Sequence, residues 1–353
     1  MQQTHEIDRP PVTEVGVIGW VRKHLLSTWY NILLTLLSLA FLYYVFRGLI
    51  TWIFTKAEWN VVTTNISVLL IGRYPRDEAW RVIVAVCIVI LFAAVTWLIW
   101  RLKKNQIKKW ILLGWVLSFP LIGFLLRGFS EDGVFLPIVK PELWSGLLLT
   151  LVLAIVGIVA SFPIGVLLAL GRRSQLPVIK VFSTVYIETI RGVPLISVLF
   201  MSQLMLPLFL PPQIRIGTVV RALTGMTLFS AAYSAENIRG GLAAVPRGQY
   251  EAATALGLNK ALATLLIVLP QALRAVIPAI VGQFISLFKD TTLVVIVGLL
   301  DVLGIAKAVT GQREFIGRHQ EVYSFVALLF FVFCFILSKA SRKLEKSLGV
   351  GRR

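Results

Sequence analysis

Eight stretches of this chain are apolar over lengths that suit a bilayer, and no other feature constrains its fold as strongly. They cover about residues 29–50, 82–100, 110–126, 144–170, 178–210, 216–235, 273–290 and 322–337. A helix needs roughly 20 apolar residues to cross hydrocarbon. Only 15% of the residues are charged, against about 25% in a soluble globular chain. The expected fold is an all-α polytopic membrane protein with about eight transmembrane helices. Two of the stretches are irregular. The fifth is too long for one straight crossing, and Pro194 and Pro207 divide it before Pro211 and Pro212 stop it. The seventh is followed by a short apolar piece, 293–303, read as its bent remainder or as a re-entrant element.

Charge placement orients the spans. The net charge is +18, which in a soluble protein would suggest nucleic acid as a partner. Here Lys and Arg sit in short segments beside apolar runs, as in RLKKNQIKK at 101–109. That is how a chain is oriented in a membrane, and no basic groove with interleaved aromatics exists for nucleic acid. With eight crossings and the N-terminus inside, the inner segments hold 21 Lys and Arg and the outer ones 12. This predicts both termini in the cytoplasm. Residues 55–81 read as a polar outer loop, and 1–24 as a polar inner tail without the pattern of a cleavable signal peptide. The first three spans carry almost no charge in their cores and are assigned no transport chemistry. Pro120 predicts a kink in the third.

The segment 237–270 between the sixth and seventh spans falls on the inner side. Pro246 and Gly248 keep it irregular up to Gln249. Gln249 to Leu256 are mostly good helix formers. Gly257 suits the left-handed residue that closes a helix, and Asn259 can cap a second short helix. Pro270 marks a break or the first turn of the next helix. The small residues Ala252 and Ala253 allow another backbone to approach. From this local pattern alone, an amphipathic pair packed on its own chain is as good a reading as a handle for another protein. Gly240-Gly241, just before it, is either a hinge or the end of the preceding helix.

Ionisable groups within spans are costly and tend to line pathways or partner contacts. Glu188 and Arg191 are three residues apart and can pair on one helical face. Glu236 and Arg239 repeat that spacing, with Tyr233 one turn back. Lys289 and Asp290 adjoin each other in the seventh span. One reading makes these internal ion pairs that fix packing. The other makes Glu188, Arg191, Tyr233, Glu236, Lys289 and Asp290 part of a path for a solute carrying both signs of charge. Arg191 would lie roughly 20 Å into a straight fifth span, and Gly192-Val193-Pro194 would break the helix there.

Several chemistries are not encoded. There is no phosphate-binding P-loop, no nucleophile elbow and no paired-histidine zinc motif. The histidines are scattered, and Cys87 and Cys334 lie in apolar runs without disulfide or metal spacing. Asn65-Ile66-Ser67 matches a glycosylation acceptor, a short pattern that arises often by chance.

From Glu251 to Pro270 the chain reads E-A-A-x3-G-x9-I-x-L-P. This resembles the cytoplasmic loop of permease subunits in bacterial ABC importers. ETIRGVPLISVLF at 188–200 and KDTTL at 289–293 resemble the branch that imports polar amino acids, and the long N-terminal part resembles the permeases of general L-amino acid importers. The resemblance covers roughly residues 143–342. It implies a type I importer core formed by the last five spans, within 144–342. The extension 25–143 precedes that core, and tails 1–24 and 343–353 flank the whole. It also implies that 237–270 is a coupling loop, with Gln249, Glu251, Ala252, Ala253, Gly257, Leu269 and Pro270 gripped by a separate ATPase dimer. ATP and its magnesium would bind there, with no cofactor on this chain and no catalysis by it. A second permease chain and a periplasmic amino-acid-binding protein would be further partners. A secondary transporter working without ATP is the alternative; it predicts two internally related halves, which the sequence lacks.

Overall fold

The computed structural model describes residues 16–102, 108–130, 136–211 and 213–349. The described residues are almost entirely helical, and none forms a strand beyond two isolated bridges. They fall into two compact units, one ending at Trp59 and one beginning at Asn60. The first contains α1 (Gly16–His24) and α2 (Trp29–Thr51), which continues as a π-helical turn over Trp52–Lys56. None of the residues of α2 is buried within this unit, as expected of a helix surrounded by lipid.

The second unit holds the rest. Its next elements are α3 (Asn60–Ile71), α4 (Ala79–Arg101) and α5 (Lys108–Arg127). Then come α6 (Gly146–Arg172), α7 (Pro177–Gly192), α8 (Leu195–Leu204) and α9 (Thr218–Ala244). The chain finishes with α10 (Arg247–Ala255), α11 (Lys260–Leu262), α12 (Leu269–Asp290), α13 (Val302–Thr310) and α14 (His319–Leu348). Among the described residues, six helices are long and apolar enough to cross a membrane, or seven if the bent pair α7–α8 counts as one span. The remaining expected crossing is α9. At 27 residues it has the length, but Gly, Ala, Ser and a Glu–Arg pair make it less apolar.

That composition explains where α9 sits. Lipid gives no hydrophobic drive for helices to associate, so close backbone approach and packing must do it. A Cβ on Gly165 of α6 would stand 2.7 Å from the Cβ of Ser234, and one on Gly241 of α9 would stand 2.6 Å from the Ala272 carbonyl oxygen. Ala222, Ala231, Ala232 and Ala235 are fully buried. Gly241 is therefore not the helix end; α9 continues to Ala244, and the missing side chain lets α12 in. The α4–α5 hairpin is tied more simply. Phe92 packs on Trp115 at 5.7 Å, and the Trp115 indole N–H donates to Thr96 Oγ1 at 3.0 Å. Pro120 lies inside α5 without ending it.

The segment expected as a polar loop, 55–81, contains instead a helix with one buried face. α3 is apolar but has only 12 residues, about 18 Å, too short to span. It packs through Val61, Val62, Asn65 and Leu69 against α6, α13 and α14. The glycosylation match is thereby removed, because Asn65 is buried and its amide donates to the Val61 carbonyl. After α3 the chain is pinned to the start of α6. Gly72 adopts φ +60°, where a Cβ would collide with Ser145, and the Arg73 N–H donates to Ser145 Oγ at 2.7 Å. Tyr74 donates to the Leu126 carbonyl at 2.8 Å. Arg81, fully buried, pairs with Glu78 at 2.7 Å and donates to the Pro137 carbonyl at 2.9 Å.

The fifth stretch breaks where expected. Pro194 separates α7 from α8, which turn by 110°. α7 is thus no straight crossing, and a depth of Arg191 counted along one does not apply. The apolar piece after α12 divides into a 3-10 turn, Thr291–Val297, a left-handed Gly298, and α13. Asp301 caps α13: its Oδ1 accepts the Gly304 N–H at 2.8 Å. Nearby, the Gly146 N–H donates to Leu300 and the Val302 N–H to Thr150 Oγ1. Asp301 is wholly buried and its Oδ2 has no partner, so burial pushes its carboxyl up to about 6. A carboxyl raised in the fold above its unfolded value binds more protons folded than unfolded between those two values, and stability falls as pH rises through that window. The purified protein should melt at lower temperature at about pH 7.5 than at about pH 5, and Asp301→Asn should flatten that difference in a thermal unfolding series.

Candidate functional site

Three helices bring charges together where α6 ends. Arg172, the last residue of α6, pairs with Glu188 of α7 at 2.7 Å and Glu236 of α9 at 3.2 Å. Arg191 of α7 approaches Glu236 at 3.7 Å, and Arg239 holds it at 2.5 Å. The Arg191 guanidinium also lies 5.7 Å from the Tyr233 ring centre, a cation–π distance. Tyr233 in turn packs on Phe229 at 4.9 Å. Three guanidinium groups thus surround one carboxylate, with a second carboxylate at the edge.

The sequence-based pairing is half right. Glu236 and Arg239 pair at i, i+3 as expected. Glu188 does not pair with Arg191 on its own helix; it reaches across to Arg172, and Arg191 turns to α9. Arg172 was missing from the expected set. It stands in a basic pair at the end of a span, where the sequence signal is orientation rather than chemistry, and its partners are 16 and 64 residues away. Lys289 and Asp290 end α12 and join none of these pairs.

Capacity to bind something else is unevenly spread. Both oxygens of Glu236 are taken by arginines. Glu188 has one partner and its side chain is 54% exposed. The buried Nε of Arg191 has no hydrogen-bond partner. An open carboxylate and an under-used guanidinium are therefore the two groups with something to offer.

The segment 237–270 adjoins this cluster. Pro246 precedes α10, whose only buried residue is Ala253. Glu251 and Ala252 face outward, and Leu256 is 81% exposed. Gly257 closes the helix at φ +78°, and the Asn259 side chain caps the next by accepting the Leu262 N–H at 2.9 Å. The second short helix does not stand apart, however. α11 passes through a π-helical stretch, Ala263–Val268, directly into α12. Pro270 lies in the first turn of α12, one of the two expected readings. It cannot donate to the carbonyl four residues back, and a local widening of the helix absorbs that loss without a break. Leu269 is half-buried on this junction and Pro270 exposed.

α10 is held at both ends of the segment. Arg173 donates to the Leu242 carbonyl and to the Tyr250 hydroxyl, each at 3.1 Å, and lies 5.8 Å from the Tyr250 ring centre. Gln271 donates to Gln249 Oε1 at 3.0 Å. The exposed face of a short helix is thereby fixed to the ends of α6, α9 and α12.

Residues 161–350 match the family described as binding-protein-dependent transport system inner membrane component. Over 349 residues the chain is 40% identical to the inner membrane amino-acid ABC transporter permease protein YhdY of Escherichia coli K12, covering 94% of this chain and 93% of that one. The chain belongs to this family. The permease is also 37% identical to the glutamate/glutamine/aspartate/asparagine transport system permease protein BztC of Rhodobacter capsulatus, over 96% and 95% of the two chains. A crystal structure of an amino acid ABC transporter with histidines shares its fold, with a TM-score of 0.51 and 31% identity over 57% of this chain and 92% of that one. Membership makes the protein a multi-pass inner-membrane permease subunit driven by ATP, with the hydrolysing enzyme on a separate subunit. It sets aside the ATP-independent alternative.

Removing the central carboxylate leaves three guanidinium groups facing one another. Glu236→Ala should insert and accumulate in the membrane normally, yet lose about 1–2 kcal/mol of stability, discounted for its partial exposure. It should also transport more slowly, as should Arg191→Ala. Immunoblots of membranes, thermal melts and uptake assays separate the three effects.

Proposed function

We propose that this permease, paired with a second related chain, forms the path of an amino-acid importer, and that Gln249 to Pro270 form its handle for the ATPase dimer. The carrying observation is α10: an exposed Glu251–Ala252 face with Leu256 bare beside it, bonded through Tyr250 and Gln249 to the ends of α6 and α12. A helix so exposed, and so firmly attached, suits a partner that grips it and moves it as a rigid body. The substrate class follows from the relatives, whose names concern amino acids, glutamate and glutamine among them.

An amino acid presents a carboxylate and an ammonium. In this reading Arg191 faces the first and Glu188 the second, Tyr233 flanks the path, and Glu236 holds the arginines in place. Lys289 and Asp290, at the far end of α12, belong to another level of the path. ATP and magnesium remain on the ATPase, and the chain itself carries no cofactor. ATP binding on one side and a loaded periplasmic amino-acid-binding protein on the other supply the differential affinity that exchanges the two cavity orientations. Both termini and the handle lie in the cytoplasm, as the charge asymmetry supports.

Two experiments test this. Glu251→Lys should sharply reduce co-purification of the ATPase and substrate-stimulated ATP hydrolysis; full retention of both would sink the coupling role. A single cysteine at Thr254, in a chain lacking Cys87 and Cys334, should react with a membrane-impermeant maleimide in inverted vesicles and not in intact cells.

A further inference from the structure

The outer end of α5 carries a groove that the transport mechanism does not use. Two cavities of about 450 and 490 Å³ adjoin there and share Arg127 and Ile138. The first runs down α5 along Gly123 and Phe124; the second opens toward Ser130 and Lys140. Arg127 closes the apolar span Lys109–Arg127, so the two cations stand where hydrocarbon gives way to headgroups, at the border opposite α10.

This site is built rather than accidental. The loop carrying Ile138 and Lys140 is bound back onto α5: the Val139 N–H donates to the Arg127 carbonyl at 2.6 Å and the Ile138 N–H to Ser130 at 3.3 Å. The buried Arg81 holds the same loop through the Pro137 carbonyl. Gly128 adopts φ +73°, and a Cβ there would collide with the Pro137 oxygen, so the loop closes tightly on the helix. Neither nearby acid among the described residues pairs with these cations. Glu78 pairs with Arg81, and the Glu142 carboxylate points at Gly217, where a Cβ would collide with it. Neither Arg127 nor Lys140 has a carboxylate partner among the described residues.

We propose that this groove holds an anionic phospholipid of the adjoining leaflet. Its phosphate lies between Arg127 and Lys140, and an acyl chain lies along Gly123 and Phe124. Charge complementarity selects the headgroup, and the apolar wall below the cations selects a lipid over a soluble anion. The lipid then fills the outer flank of the α4–α5 hairpin beside the loop that Arg81 fixes.

The test uses the full chain in proteoliposomes containing a photoactivatable phosphatidylglycerol or a phosphatidylcholine with the same acyl chain. Phosphatidylglycerol should label residues 120–140 selectively. Lys140→Gln should reduce labelling roughly fivefold, the double variant with Arg127→Gln further still, and Arg127→Lys little. Unchanged co-purification with the ATPase reports that the variants fold. Equal labelling by both lipids overturns the proposal. Undiminished labelling of the double variant also overturns it. So does displacement by millimolar inorganic phosphate, which would make this a site for a free anion.

Discussion

The structure depends on how closely three helices can approach. In a bilayer, burying leucine against leucine gains little over burying it against lipid, so association falls to packing and to small residues. α9 supplies those residues on two faces, against α6 at Gly165–Ser234 and against α12 at Gly241–Ala272. The surrounding elements lean on that trio. α7 and α8 wrap it, α13 and α14 close the far side, and α3 plugs the end opposite α10.

The charge cluster makes sense only on that framework. Arg172, Arg191 and Arg239 come from three different helices, and each reaches the same carboxylate. A cluster of this kind over-determines the position of Glu236, yet leaves Glu188 half-exposed and the buried Nε of Arg191 without a partner. Order at the centre and unmet bonding at the rim are what the path proposed above would need to recognise a small zwitterion without rearranging for it.

Much of this was legible in the sequence, for identifiable reasons. Long apolar runs announce crossings because bilayer thickness is fixed. Gly257, Asn259 and Pro194 announced their own conformations because each has a local steric or hydrogen-bonding cause. What stayed hidden was long-range. Arg172 looked like an orientation signal because its partners lie on other helices. α3 looked like a loop because 12 apolar residues cannot span, and nothing local says that α6, α13 and α14 will cover them. Glu188 and Arg191 had the spacing of a pair, but Arg172 of α6 and Glu236 of α9 draw them to other helices. Gly241 read as a hinge or a stop because a sequence does not show what will press against a missing side chain.

The unbroken run from Lys260 to Val297 has a mechanical meaning. Through its π-helical and 3-10 parts it is a single rod of 38 residues, about 57 Å at helical rise. Its close contact at Ala272, against Gly241, lies about a third of the way along. A rod gripped there is a lever with unequal arms: a displacement at the end near α10 appears roughly doubled, and reversed in direction, at the other. The same glycine that permits close packing would thus serve as a fulcrum, turning a modest push outside the bilayer into a larger swing near Asp301.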